Sequence, residues 1–235
     1  MSSSSSDTPG GFRRQDAPLA LVILISGRGS NMVAIARACR EGRIRAEVRA
    51  VISDRADAGG LSLARELGIE TAVVPRREFA DAAQFERALA REIDRHRPDL
   101  VVLAGFMRIL SGDFVARYDG RMLNIHPALL PLYKGLHTHR RVLEAGDRFH
   151  GASVHYVTEE LDGGPVVVQS RVPVLPGDDE TRLSARVQAT EHIIYPKAIG
   201  WIADGRLVWR DGRPWLDGRP LDEPVVEDFV GDATH

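Results

Sequence analysis

The sequence predicts an α/β fold: one domain on a largely parallel, open twisted sheet, with an antiparallel extension toward the C-terminus. Three observations carry this. From Leu19 short apolar runs alternate with longer amphipathic ones, the signature of βαβ units. A glycine-rich turn, Ser26-Gly27-Arg28-Gly29-Ser30-Asn31, joins the first apolar run to the first amphipathic one. After about residue 148, two β-rich runs follow one another with only a turn between them. At 235 residues and 43% hydrophobic, the chain can bury a full core.

The candidate parallel strands are 20–25, 48–53, 71–74, 100–104 and 121–125. Between the first two, Met32, Ile35, Ala36 and Cys39 stand at i, i+3, i+4 and i+7, one face of a helix, which makes Cys39 a core residue rather than a nucleophile. Phe85, Leu89 and Ile93 mark a second helix that ends ahead of Pro98. Runs 152–158 and 165–174, separated by 159–164 with its Asp162-Gly163 turn pair, read as antiparallel strands. A long helix from 181 to about 203 follows, with Leu183, Val187, Ile194, Ala198 and Trp201 on one stripe. Asp204-Gly205 and Asp211-Gly212 mark turns of a terminal hairpin. Residues 1–18, with five consecutive serines, and 219–235 are expected to be tails around one domain at 19–218, with fraying from Glu223.

Composition narrows the function. Lys and Arg number 31 against 33 Asp and Glu, for a net charge of -2, and no basic run is interleaved with aromatics, so no nucleic-acid partner is expected. The single cysteine leaves no intrachain disulfide or multi-cysteine metal site and suits a reducing compartment, the cytoplasm. Arg13-Arg14 ahead of the apolar run superficially looks like a twin-arginine export signal, but the run is short and leads directly into the glycine turn. No apolar stretch is long enough for a membrane span.

Three motifs could carry chemistry. In the first turn, glycines let backbone approach a ligand, and the N-terminus of the following helix attracts an anion. Met32 stands where a dinucleotide fingerprint needs its third glycine, so a mononucleotide phosphate suits the turn better, beside the plain alternative of a tight turn without ligand. Second, Asn124 and His126 lie two apart in Asn124-Ile125-His126-Pro127 at the end of a predicted strand and share a face. An amide and an imidazole there can hold a carbonyl oxygen as it gains negative charge; alone, a histidine before proline is more often structural. Third, Glu159-Glu160-Leu161-Asp162-Gly163-Gly164 is a hairpin turn in which Asp162 can also act as a general base near His126. His137 and His139 suggest a metal site, but no metal-ligand spacing supports one.

In combination these motifs are more specific. Ile25-Ser26-Gly27 with Gly29-Ser30-Asn31, then Ala104-Gly105-Phe106-Met107-Arg108-Ile109-Leu110, then Asn124-Ile125-His126-Pro127, then Leu161-Asp162-Gly163-Gly164-Pro165 closely resemble the phosphoribosylglycinamide formyltransferase family. The resemblance spans about 19–218. It implies a Rossmann-like formyltransferase fold and transfer of formyl from 10-formyltetrahydrofolate to glycinamide ribonucleotide, without metal. Asn124, His126 and Asp162 match the family's catalytic trio. Gly29, Ser30 and Asn31 match its phosphate loop, and Gln188 and Glu191 its contacts to the ribose and glycinamide. Met107, Arg108, Ile109, Leu110, Asn124, Thr158, Glu159, Glu160, Leu161 and Asp162 match its folate pocket. The chain departs from the family at Ala82, where many members carry an arginine assigned to folate; Arg76, Arg77 and Arg87 stand nearby in sequence. Small molecules are the expected partners, and monomer and homodimer are both compatible.

Related enzymes share the trio. A formyltetrahydrofolate deformylase would carry a further domain ahead of the catalytic one, and a methionyl-tRNA formyltransferase an RNA-binding domain after it. A noncatalytic binding protein of the same fold is the reading from a different class, and the intact trio stands against it.

Overall fold

The computed structural model describes residues 17–229; the serine-rich segment and its arginine pair, at 1–16, and residues 230–235 lie outside the described residues. Strand β1 (Leu19–Ile25) is buried along its whole length, as expected of a strand covered on both faces. Its odd-numbered residues join one core cluster with α1 (Ser30–Arg40), while Val22 and Leu24 join another, the period-two alternation of a central strand. Burying one such leucine or isoleucine contributes roughly 1.5–3 kcal/mol.

From β1 the chain steps outward through β2 (Ala46–Ser53), α2 (Gly59–Glu66) and β3 (Glu70–Val73). After a 3-10 turn at Arg76–Glu78 and α3 (Ala82–Arg95), it returns to the other side of β1 with β4 (Leu100–Leu103), α4 (Gly112–Arg117) and β5 (Met122–His126). All these strands pair parallel. The direction of growth therefore reverses between β1 and β4, and the crevice at their carboxyl ends is where such sheets place ligands.

Helix α5 (Thr138–Ala145) precedes β6 (Phe149–Tyr156), which pairs antiparallel with β5 and with β7 (Val166–Pro173). The expected antiparallel extension is thus present. Helix α6 (Glu180–Ala203), capped by the Asp179 carboxylate on Arg182 N at 2.8 Å, lies against α1, β6 and β7 with the whole expected stripe buried. Its Tyr195 hydroxyl reaches the carbonyls of Leu103, which ends β4, and of Leu123 in β5, and ties the helix beneath the sheet. Strands β8 (Leu207–Arg210), β9 (Arg213–Leu216) and β10 (Arg219–Pro220) form a small antiparallel sheet.

Two expectations need correction. The tail expected from residue 219 instead forms β10 and then β11 (Val225–Asp228), which pairs parallel with β7 and closes the main sheet as an edge strand. Its backbone pairing and the Arg171–Asp228 ion pair at 2.5 Å hold it there, which two valines among acidic residues do not announce in sequence. Cys39 is half-buried at the margin of the core, with Ala38 the fully buried neighbour; burial pushes its thiol up to about 11, so it remains a poor nucleophile. Among the described residues no helix is long and apolar enough to cross a membrane.

Candidate active site

The register of β5 and β6 assembles the site. Asn124 pairs with His155 and His126 with Ser153, so two cross-strand rows place four polar side chains on one face. Asn124 Nδ2 lies 3.2 Å from His155 Nε2, and His155 Nδ1 lies 2.9 Å from the Tyr156 carbonyl. A carbonyl only accepts, so His155 carries its proton on Nδ1 and offers Nε2 as acceptor to the Asn124 amide. Burial depresses His155 below the ordinary histidine range, which keeps it neutral for this role. One Asn124 hydrogen is thereby fixed and the other is left for the cavity.

His126, only 6% exposed, faces two acceptors: Nε2 lies 2.9 Å from the Tyr133 carbonyl and Nδ1 lies 3.4 Å from Asp162 Oδ2. Nε2 donates to the Tyr133 carbonyl, and a hydrogen between Nδ1 and the Asp162 carboxyl completes the second contact. Asp162 reaches this position because its backbone takes the left-handed conformation (φ 49°) in the turn between β6 and β7, which aspartate tolerates. Gly135 N donates to its Oδ2 at 2.9 Å, and His155 Nε2 lies 3.8 Å from its Oδ1. Asn124, His126 and Asp162, read separately from sequence, are thus brought together. His155 is the residue that sequence reading missed; its one available signal was a histidine in the strand opposite Asn124.

These groups line a cavity of about 500 Å³. Every residue expected at the folate pocket, Met107, Arg108, Ile109, Leu110, Asn124, Thr158, Glu159, Glu160, Leu161 and Asp162, lines the same cavity. Met107 and Ile109 stand exposed on its wall, apolar surface suited to a flat aromatic ligand. Ala82, on the first turn of α3, and Arg76, Arg77 and Arg87 are all outside this lining.

The second group gathers at the start of α1, outside that lining. Gly29 caps the helix in the left-handed region (φ 75°) without a side-chain cap, so first-turn N–H groups are available to an anion. A Cβ at this glycine would lie 2.9 Å from Gly60 Cα. Gln188 Nε2 lies 3.2 Å from Ser30 Oγ, and Asn31 Nδ2 donates to Glu191 Oε2 at 2.8 Å, so loop and helix meet. Burial pushes the Glu191 carboxyl above its usual range, the Asn31 bond opposing, and Asn31 Oδ1 is buried with no hydrogen-bond partner. Ser26 Oγ accepts from Met107 N at 2.9 Å and joins this loop to the cavity wall.

The two suspected metal ligands go different ways. His137 precedes α5 in a left-handed conformation, while His139 Nδ1 lies 2.9 Å from His150 Nε2. Among the described residues no group of three or more potential ligands could hold a metal ion.

Comparison with known proteins bears on this arrangement. The formyl transferase family profile matches residues 19–199. The phosphoribosylglycinamide formyltransferase of Escherichia coli is 56% identical over 201 residues, 86% of this chain and 95% of that protein. The human trifunctional purine biosynthetic protein adenosine-3 is 42% identical over 196 residues, 83% of this chain and 19% of that protein. Among solved structures, the phosphoribosylglycinamide formyltransferase of Coxiella burnetii superposes with a TM-score of 0.86 at 50% identity, covering 89% of this chain and 99% of its own.

Proposed function

The chain belongs to the formyl transferase family and is an enzyme of the phosphoribosylglycinamide formyltransferase type, acting in purine biosynthesis; we propose that Asn124, His126 and Asp162 carry its chemistry. The co-substrate is a formyl folate, which we take to be 10-formyltetrahydrofolate. The single observation that carries this reading is the meeting of an amide donor, an imidazole and a carboxylate at one end of a cavity of about 500 Å³.

The glycinamide amine attacks the formyl carbon and forms a C–N bond while the formyl oxygen takes up the electron pair. The free N–H of Asn124 and the hydrogen on His126 stabilise that oxyanion. At 3.4 Å the contact between His126 Nδ1 and Asp162 is longer than a good N–H···O bond, so the Nδ1 side of the ring is not fully engaged and can share its hydrogen with a developing charge. The proton leaving the amine passes to Asp162 through an ordered water, the bond to the folate nitrogen breaks, and that nitrogen is protonated as tetrahydrofolate leaves. No covalent enzyme intermediate is needed. Gly29, Ser30 and Asn31 receive the nucleotide phosphate, and Gln188 and Glu191 its ribose and glycinamide. Residues Met107 to Leu110 and Thr158 to Asp162 receive the folate, and no step uses a metal. The single half-buried thiol supports a cytoplasmic setting.

The test is to mix purified protein with glycinamide ribonucleotide and 10-formyltetrahydrofolate and follow the folate spectrum with and without the nucleotide. Turnover that depends on the nucleotide is expected. Equal turnover without it would make water the acceptor and overturn the reading.

A further inference from the structure

The row that contains His126 continues one strand further: His126 lies opposite Ser153 in β6, and Ser153 lies opposite Gln169 in β7. Directly paired residues point to the same side of a sheet, so the three side chains share one face. Ser153 and Gln169 do not line the cavity; they are buried against the turn that follows His126. Gln169 Nε2 donates to the Leu130 carbonyl at 2.8 Å and to Ser153 Oγ at 2.9 Å. Ser153 Oγ donates to the Ala128 carbonyl at 2.7 Å and accepts from Leu130 N at 3.0 Å. Both amide hydrogens of Gln169 and every site on the Ser153 hydroxyl are therefore engaged.

The turn pinned in this way delivers two contacts to the reacting groups. Past Leu130, the Tyr133 carbonyl accepts from His126 Nε2 and Gly135 N donates to Asp162 Oδ2. We propose that Gln169 is a positioning residue of the reaction, which through Leu130 and Ser153 sets the turn that orients the His126 ring and the Asp162 carboxylate. This rests on the reading of His126 and Asp162 given above. Space-filling alone would be met by any side chain of the same size, whereas positioning needs two hydrogen-bond donors at this point.

Gln169→Glu separates the two roles, because it keeps the shape and replaces the donors with acceptors. Its ionised carboxylate faces the Leu130 carbonyl and the Ser153 oxygen, and the turn loses its pin. At neutral pH kcat is expected to fall by about tenfold or more, while KM for the nucleotide stays within about twofold. Relative to the unsubstituted enzyme, that loss shrinks as the pH is lowered and the carboxyl regains a hydrogen to donate. Gln169→Leu is expected to lose kcat without this recovery. If Gln169→Glu fails to fold, Gln169→Leu decides on its own: a kcat loss with nucleotide KM and melting temperature kept supports positioning.

Undiminished kcat in Gln169→Leu overturns the inference, as does a loss in Gln169→Glu that does not vary with pH relative to the unsubstituted enzyme, or a nucleotide KM that rises as much as kcat falls. A His126→Ala control separates the two levels. If that variant stays active, the reading of the site fails; if it is inactive while both Gln169 variants are fully active, only this inference fails.

Discussion

At the scale of single residues, the site depends on which nitrogen carries which hydrogen. His155 matters because its Nδ1 is committed to the Tyr156 carbonyl and its Nε2 is left to fix Asn124. His155→Phe keeps a ring of similar bulk and removes the acceptor, and should lower kcat by about tenfold with both KM values little changed, since a misplaced donor costs rate more than binding. Steady-state kinetics check this; an unchanged kcat would show that Asn124 orients itself. Asn124, His126 and Asp162 were legible in the sequence because they sit in short motifs. His155 was not, since only the β5–β6 register makes it a neighbour of Asn124.

At the scale of elements, the turn into α1 combines two constraints on Gly29. Its left-handed backbone costs an L-residue about 1–2 kcal/mol, and a side chain would press on Gly60. Gly29→Ala should therefore raise KM for the nucleotide by about tenfold or more, in line with that cost, while KM for the folate holds; equal effects on both would argue against a phosphate role. The N-cap of α6 gives a stability prediction: Asp179→Ala removes the bond to Arg182 N and should cost about 1 kcal/mol in chemical denaturation, and no loss would mean the cap is redundant. The parallel strands and long helices were readable from periodicity. Shorter pieces were not: α2, α4 and α5 run only six to eight residues, and β11 carries two apolar residues held by backbone pairing to β7.

At the scale of the whole molecule, acid stability follows from a buried histidine. Burial pushes His150 down to about 3, with His139 and His126 adding to the shift and Asp147 opposing it, whereas an unperturbed histidine titrates near 6.5. Between those values the unfolded chain binds more protons than the folded one, so stability falls as the pH drops through that window. His150→Gln should flatten the dependence of melting temperature on pH below 6.5, and an unaltered slope would place the acid sensitivity elsewhere. The overall topology carries function in a simpler way: strand growth reverses between β1 and β4, and the motif that ends β5 and the loop after β1 open at the same end of the sheet.

That convergence makes Asp162 the central residue of the site, since it links the β6–β7 turn both to His126 and to the turn after β5. The most direct measurement is the turnover of Asp162→Asn alongside its equilibrium binding of nucleotide and folate. Turnover is expected to fall by about a hundredfold or more with both ligands still bound at near-normal affinity. Turnover close to that of the unsubstituted enzyme would contradict it.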